Sequence, residues 1–425
     1  MQREQVAEGV YINTLPAEKF NRCRLTIHFR FPANREMATN HALLPLVLER
    51  GYADCPDMTE FSRKLAKLYG ASLTVDTVMQ GATRELIVSI SGIKDCFALD
   101  GEKLSAEYAS ILFGVAFKPY FENGKFSDEV VRIEKAALAR MLEGEINDKR
   151  IYCLRQARRR FFGESPAGIE REGYLSDLPQ VTAETLTDCY YKMLTEATIE
   201  VMVLGADKEA VKAKLSESLK AVNRVPVAPA ENLFMPQRAT EYFEEKMELV
   251  QAKLCMMFTW NQTADAKDLN AFRMAMSVFG GSTTSRLFLN VREKQSLCYY
   301  CGSRFNSATA CMIIDSGVEP AKAKQAQAAI LKELNELIHG AISKEEIENS
   351  RRGLLSGMKS VEDSLGSLEN WYYGEIIRDA GVHTPQESAR LLNEVTEEDI
   401  RRILSQFTHS VSYLVTAKED AQNAE

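Results

Sequence analysis

Apolar residues recur along this 425-residue chain with two periods. Alternation at every second position marks strands, and recurrence at three and four marks amphipathic helices. Leu25, Ile27, Phe29 and Phe31 alternate with polar neighbours and predict a strand over 23–31. An apolar helical run follows at about 41–50, ending at Gly51, and Ser62-Arg63-Lys64-Leu65 opens a second helix. A strand at Leu86–Ser91 is closed by Gly92. The same series returns roughly 215–225 residues later. It comprises a strand over 249–258, a helix over about 268–279 ending at Gly280, the run Ser285-Arg286-Leu287-Phe288, and a strand Cys311–Asp315 closed by Gly317.

The ends of the two halves match as well. Val181-Thr182-Ala183-Glu184 and Val395-Thr396-Glu397-Glu398 both read as helix openings, with a capping Thr and an acid in the first turn. Each leads into a short apolar strand, Ile199–Leu204 or Val411–Val415. Long amphipathic helices are predicted over 128–145, 321–338 and 344–359. Strands early and late with helices between them predict an α+β fold of two duplicated α/β-sandwich domains, each a mostly antiparallel sheet with helices packed on it. The domains fall at 1–222 and 241–425. A linker over 223–240 contains Pro226-Val227-Ala228-Pro229-Ala230.

Composition narrows the function classes. A net charge of −8 argues against nucleic acid as the main partner. Arg150, Arg155, Arg158, Arg159 and Arg160 form one basic cluster, read as a helix face with acidic neighbours. The N-terminus lacks the apolar core of a signal peptide, and no apolar run reaches the length of a membrane span. With nine cysteines in no framework spacing, the expectation is a cytoplasmic protein with reduced thiols. Cys298-Tyr-Tyr-Cys301 falls in an expected strand, where alternation would point the two thiols to opposite faces and away from shared chemistry.

Several motifs, in this order and spacing, carry a family resemblance. Phe279-Gly280-Gly281-Ser282 is followed by Ser285-Arg286-Leu287-Phe288, Val291-Arg292-Glu293-Lys294, Leu297 and Tyr299. Phe162-Gly163-Glu164-Ser165-Pro166-Ala167-Gly168 and the two Val-Thr helix openings complete the set. Over residues 15–420 the chain resembles the insulinase-like family of inverted zinc peptidases, which includes pitrilysin and the mitochondrial processing peptidase subunits. Within it the chain resembles bacterial non-catalytic, YfmF-like members.

The resemblance implies a zinc helix carrying H-x-x-E-H in the first domain, with a further glutamate ligand on a later helix. At those positions this chain has Ala42, Pro45, Leu46 and Met141. None is a zinc ligand, and the general base is gone too. His41 stands one place off the motif and reads as a helix-start or surface residue. The five histidines, at 28, 41, 339, 383 and 409, include no pair spaced to bind zinc from one helix. The chain is therefore expected to hold no metal and to be no enzyme on its own.

In many members of the family an Arg and a Tyr seven residues apart reach the zinc site from the last domain. Arg292 and Tyr299 have that spacing in the second domain. Hydroxide attack on a peptide carbonyl builds an oxyanion. A tyrosine hydroxyl can donate to it, and a guanidinium can hold substrate. The plainer alternative is that Arg292 pairs with Glu293 or Glu346 and that Tyr299 is a strand tyrosine. Gly280, Gly281 and Ser282 match a glycine-rich stretch assigned to substrate contact in related non-catalytic subunits, or they form only a helix cap and turn.

The implied function is that of a non-catalytic subunit in a heterodimeric zinc metallopeptidase. The chain would close the chamber, bind a peptide or unfolded segment, and supply Arg292 and Tyr299 in trans. Its partner would be a paralogous subunit bearing H-x-x-E-H and the zinc. The family association further suggests a link to elongation factor P modification. The competing reading is an inert scaffold of the same fold.

Overall fold

The structure is a computed structural model. It describes residues 1–229, 235–260, 266–378 and 381–418. Ala230, in the expected linker, lies outside the described residues.

Contacts divide the chain into two compact units, Met1–Glu143 with Ser165–Glu231, and Gly144–Glu164 with Asn232–Glu425. The first contains β1 (Gln2–Ala7), β2 (Val10–Leu15), β3 (Arg22–Pro32), β4 (Ser72–Gln80), β5 (Thr83–Ile93) and β6 (Thr198–Leu204). Strands β7 (Glu241–Met247), β8 (Ala252–Thr259), β9 (Cys298–Asn306), β10 (Cys311–Val318) and β11 (Thr408–Ala417) belong to the second. The helices, in chain order, begin with α1 (Ala38–Leu48), α2 (Met58–Lys67), α3 (Leu104–Phe117), α4 (Asp128–Glu143), α5 (Lys149–Phe162), α6 (Ala183–Glu196) and α7 (Lys208–Leu219). They continue with α8 (Ala266–Phe279), α9 (Ala323–His339), α10 (Lys344–Ser360), α11 (Leu365–Arg378), α12 (Pro385–Asn393) and α13 (Glu397–Leu404).

The duplication is visible in the strand orders, β1-β2-β6-β3-β5-β4 and β7-β11-β8-β10-β9. Apart from β1, the two sheets share one topology. Each has one parallel pair, β2 with β6 and β7 with β11, in an otherwise antiparallel sheet. The expected α+β architecture holds. Odd positions of β3 (Leu25, Ile27, Phe29, Phe31) face the first core with β5, β6, α1, α3 and α6. Even positions of β8 (Leu254, Met256, Phe258) face the second core with α8, α9 and α13. The paired helix openings are real caps. Thr182 and Thr396 each close a capping box, on α6 and α13.

Three expectations need correction. Helix α2 opens at Met58, with Asp57 accepting from the Glu60 N–H, not at Ser62. Gly92 and Gly317 lie inside β5 and β10 and do not end them. A Cβ on Gly92 would meet Tyr108 Oη at 2.2 Å, and one on Gly317 would meet Tyr300 Cε1 at 2.4 Å. Each glycine makes room for a tyrosine ring and terminates nothing. Finally, a cut at 222–241 would leave residues 144–164 with the first half, but α5 groups with the second unit. There Tyr152 Oη bonds Glu245 at 3.1 Å, and the Cys153 thiol lies against the Lys253 and Tyr413 carbonyls at 3.3 and 3.5 Å. Helix α5 thus covers the face of the second sheet opposite the main helices.

Candidate functional site

In the first unit, α1 presents the positions where the family resemblance would require zinc ligands. Ala42 and Pro45 are buried and Leu46 is half-buried against the core. Alanine, proline and leucine offer no donor atom, so the residues present do not fit a zinc ion. Pro45 adds a backbone constraint. It has no N–H for the His41 carbonyl, a partner that any other residue would supply in the helix interior.

His41 is not a surface residue. It is buried inside α1 and packs on the Phe31 ring, with centroids 4.7 Å apart. Burial, and then the charges of Arg84 and Lys192, hold its pKa well below the ordinary value, so it sits there as a neutral ring.

On α4, the face that carries Met141 also carries Glu134 and Leu138. Leu138 is buried, Glu134 receives the Arg50 Nε at 2.7 Å, and Met141 is 52% exposed. Among the described residues no group of three His, Cys, Asp or Glu side chains could hold a metal ion.

In the second unit the other candidates cluster. Arg292 lies on a π-helix, Leu287–Lys294, a rare geometry that recurs at functional sites. Its Nε donates to the Tyr299 carbonyl at 2.8 Å, it pairs with Glu293 at 3.0 Å, and it lies over the Phe288 ring at 4.6 Å. Glu346 is taken by Arg286, at 2.7 Å.

Tyr299 is 56% exposed for a specific reason. Val318 pairs with Cys298 while Gly317 pairs with Tyr300, so Tyr299 is the extra residue of a β-bulge. The bulge also shifts the phase of β9 and corrects the expected orientation of the two thiols. Cys298 and Cys301 both face the second core. Their mutual contact lowers the pKa of Cys298 and raises that of Cys301.

Arg292 and Tyr299 line one cavity of about 470 Å³ along the edge strand β9. Its wall also includes Arg150 from α5, Phe288, Tyr300, Arg304 and Asp315. Arg150 donates to Asp315 at 2.7 Å and lies over the Tyr300 ring at 4.7 Å. Sequence reasoning missed Arg150, Tyr300, Arg304 and Asp315 as neighbours of the pair. The rest of the basic cluster is engaged within the same unit. Arg155 pairs with Glu145 at 2.5 Å, Arg158 lies over Phe162 at 5.3 Å, and Arg160 lies over Phe243 at 4.7 Å.

Gly280, Gly281 and Ser282 end α8. The Gly280 and Gly281 N–H groups both bond the Met276 carbonyl, and Gly280 O accepts the Ser303 N–H of β9 at 3.1 Å. That turn and Arg292 occupy part of the outer edge of β9, at Ser303 and at Tyr299.

A family model described as "Peptidase M16 inactive domain" matches residues 180–354. The "Probable inactive metalloprotease YmfF" of Bacillus subtilis (strain 168) is 24% identical over 97% of each chain. The "Uncharacterized zinc protease YmxG" of the same organism is 27% identical over 41% of this chain and 42% of that one. A crystal structure of a conserved protein from Enterococcus faecalis V583 superposes with a TM-score of 0.88, at 25% identity over 98% of each chain. Residues 180–354 thus match the M16 inactive-domain model, and the chain as a whole is similar to a probable inactive metalloprotease.

Proposed function

We propose that this chain is the non-catalytic subunit of a heterodimeric zinc metallopeptidase. It closes the reaction chamber, binds a peptide or unfolded segment, and presents Arg292 and Tyr299 to a paralogous subunit that carries H-x-x-E-H and the zinc. The observation that carries this reading is the pairing of an exposed Tyr299, pushed out by a bulge, with Arg292 in one cavity of the second unit. Meanwhile, the first unit has only apolar side chains where the zinc ligands would stand. The site of action is cytoplasmic on this reading, and the family-level association makes elongation factor P modification the pathway to examine.

The test is to isolate the chain from its native cells with its associated proteins and assay peptide hydrolysis. Recovery of a similar-sized H-x-x-E-H subunit, with hydrolysis slowed on the order of 10²-fold by Tyr299→Phe or Arg292→Ala, supports the proposal. Full activity in both variants refutes the trans contribution.

A second reading, an inert scaffold, is favoured by one observation. Arg292 is already held by a carbonyl, a carboxylate and a ring, as a structural arginine would be. It predicts a tight partner and no effect of either substitution on hydrolysis.

A further inference from the structure

The cavity beside β9 carries more positive charge than its own residues neutralise. Three arginines line it, and two of them are matched within the unit. Arg150 is held by Asp315 at 2.7 Å and Arg292 by Glu293 at 3.0 Å. Just outside the wall, Lys253 has Asp148 as well as Asp315 among its charged neighbours. Arg304 lines the cavity from the exposed side of β9 and has no hydrogen bond or ion pair among the described residues. The wall therefore presents one guanidinium without a counter-charge, and the same wall includes the aromatic side chains of Tyr299, Tyr300 and Phe288.

From this count we infer that the cavity binds the carboxylate of a peptide, with Arg304 as the counter-charge and the aromatic wall receiving the neighbouring apolar side chain. The inference rests on the reading of Arg292 and Tyr299 as a peptide-binding pair and adds the substrate class. A planar guanidinium matches a carboxylate by two parallel hydrogen bonds, and a monoanion leaves the cavity neutral. A dianion would meet the carboxylates of Asp315 and Glu293 with only one unmatched cation to offset it. The cavity also has its own latent second site. Arg150 turns from Asp315 to a ligand only if that ion pair opens, so Asp315 sets how strongly the cavity attracts an anion.

The carboxylate could come from an acidic side chain or from a peptide C-terminus, and three synthetic peptides separate the two. All share an Ala/Tyr sequence. The first has one Glu and both ends blocked. The second has Gln in its place and both ends blocked. The third has Gln and a free C-terminal carboxylate. Binding to the full chain is measured by isothermal titration calorimetry at low and high salt. The expected result is about tenfold tighter binding of one carboxylate peptide over the blocked Gln peptide, a preference that fades with salt.

Arg304→Gln should bring that ratio close to one, and Arg304→Lys should keep most of it. Asp315→Asn should move affinity the other way, upward, by releasing Arg150. Equal binding of all three peptides overturns the carboxylate inference and leaves the peptide-binding reading standing. So does a preference that survives Arg304→Gln. Failure of every peptide to bind overturns both.

Discussion

Replacing Gly280 with alanine separates a structural glycine from one that touches substrate. Its missing side chain is what lets the end of α8 reach β9. A Cβ there would sit 2.7 Å from Leu287 Cδ1, 2.7 Å from the Ser303 backbone N and 2.8 Å from Ser303 Oγ. The leucine tip could move, but the backbone N belongs to a strand that is hydrogen-bonded along its other side to β10. Relief must come from moving the turn away, which breaks the Ser303 N–H bond to Gly280 O.

Overpacking of this kind costs about 1–3 kcal/mol, and the lost hydrogen bond adds about 0.5–1.5. For a unit of this size, roughly 2–4 kcal/mol corresponds to a fall of roughly 5–15 °C in the melting transition. Because two units need not melt together, the assay is calorimetry with a probe in the second unit, such as Trp260 fluorescence. Gly353→Ala, inside α10 with nothing within 4 Å of its Cβ, is the control. It should stabilise the same unit by about 0.4–1 kcal/mol. An unchanged melting transition in Gly280→Ala, with loss of peptide binding, would refute the packing argument and give the glycine to the substrate.

Three further predictions follow from other parts of the chain. Arg84 is buried and donates to the Ala38 carbonyl at 2.9 Å, to Thr77 Oγ1 at 3.2 Å and to the Arg171 carbonyl. Arg84→Met leaves those acceptors orphaned and should cost the first unit about 3 kcal/mol or more; a melting transition within about 1 °C of the parent would contradict this. His409 stacks on Phe258 at 4.8 Å, and burial lowers its pKa to about 4 against 6.5 for an ordinary histidine. Between those values the unfolded chain takes up the proton that the folded unit excludes. Stability is full above pH 6.5 and falls toward pH 4, by at most about 3 kcal/mol and less where water reaches the ring. Denaturant melts across that range should show a shallower acid slope in His409→Phe. Of the nine cysteines, Cys96 is exposed and the others are buried. Thiol titration of the native chain should give one fast group, lost in Cys96→Ser, and nine after denaturation.

The strands and caps were legible because their signals are local. The alternation of Leu25, Ile27, Phe29 and Phe31, and the capping threonines 182 and 396, act within a few residues of where they are read. The errors have a common cause, a partner distant in the chain. Gly92 and Gly317 look like strand ends until Tyr108 and Tyr300 are placed against them. His41 looks like a surface residue until Phe31 and Arg84 enclose it. The bulge at Tyr299 is the most consequential case. Strict alternation puts Cys298 and Cys301 on opposite faces. One inserted residue puts both in the core and turns Tyr299 outward into the cavity with Arg292.

The spacing of Arg292 and Tyr299 could be noticed in the sequence, but not what joins them. The Arg292 guanidinium bonds the carbonyl of Tyr299 and not its ring, so the backbone fixes the two relative to each other and the phenol is left available. Arg150 had no local signal either, because α5 lies among the elements of the first unit in sequence and packs on the second sheet. A site assembled from a bulge, a π-helix and a helix from a distant stretch of chain is written in sheet register and packing, which a period of two or 3.6 does not encode.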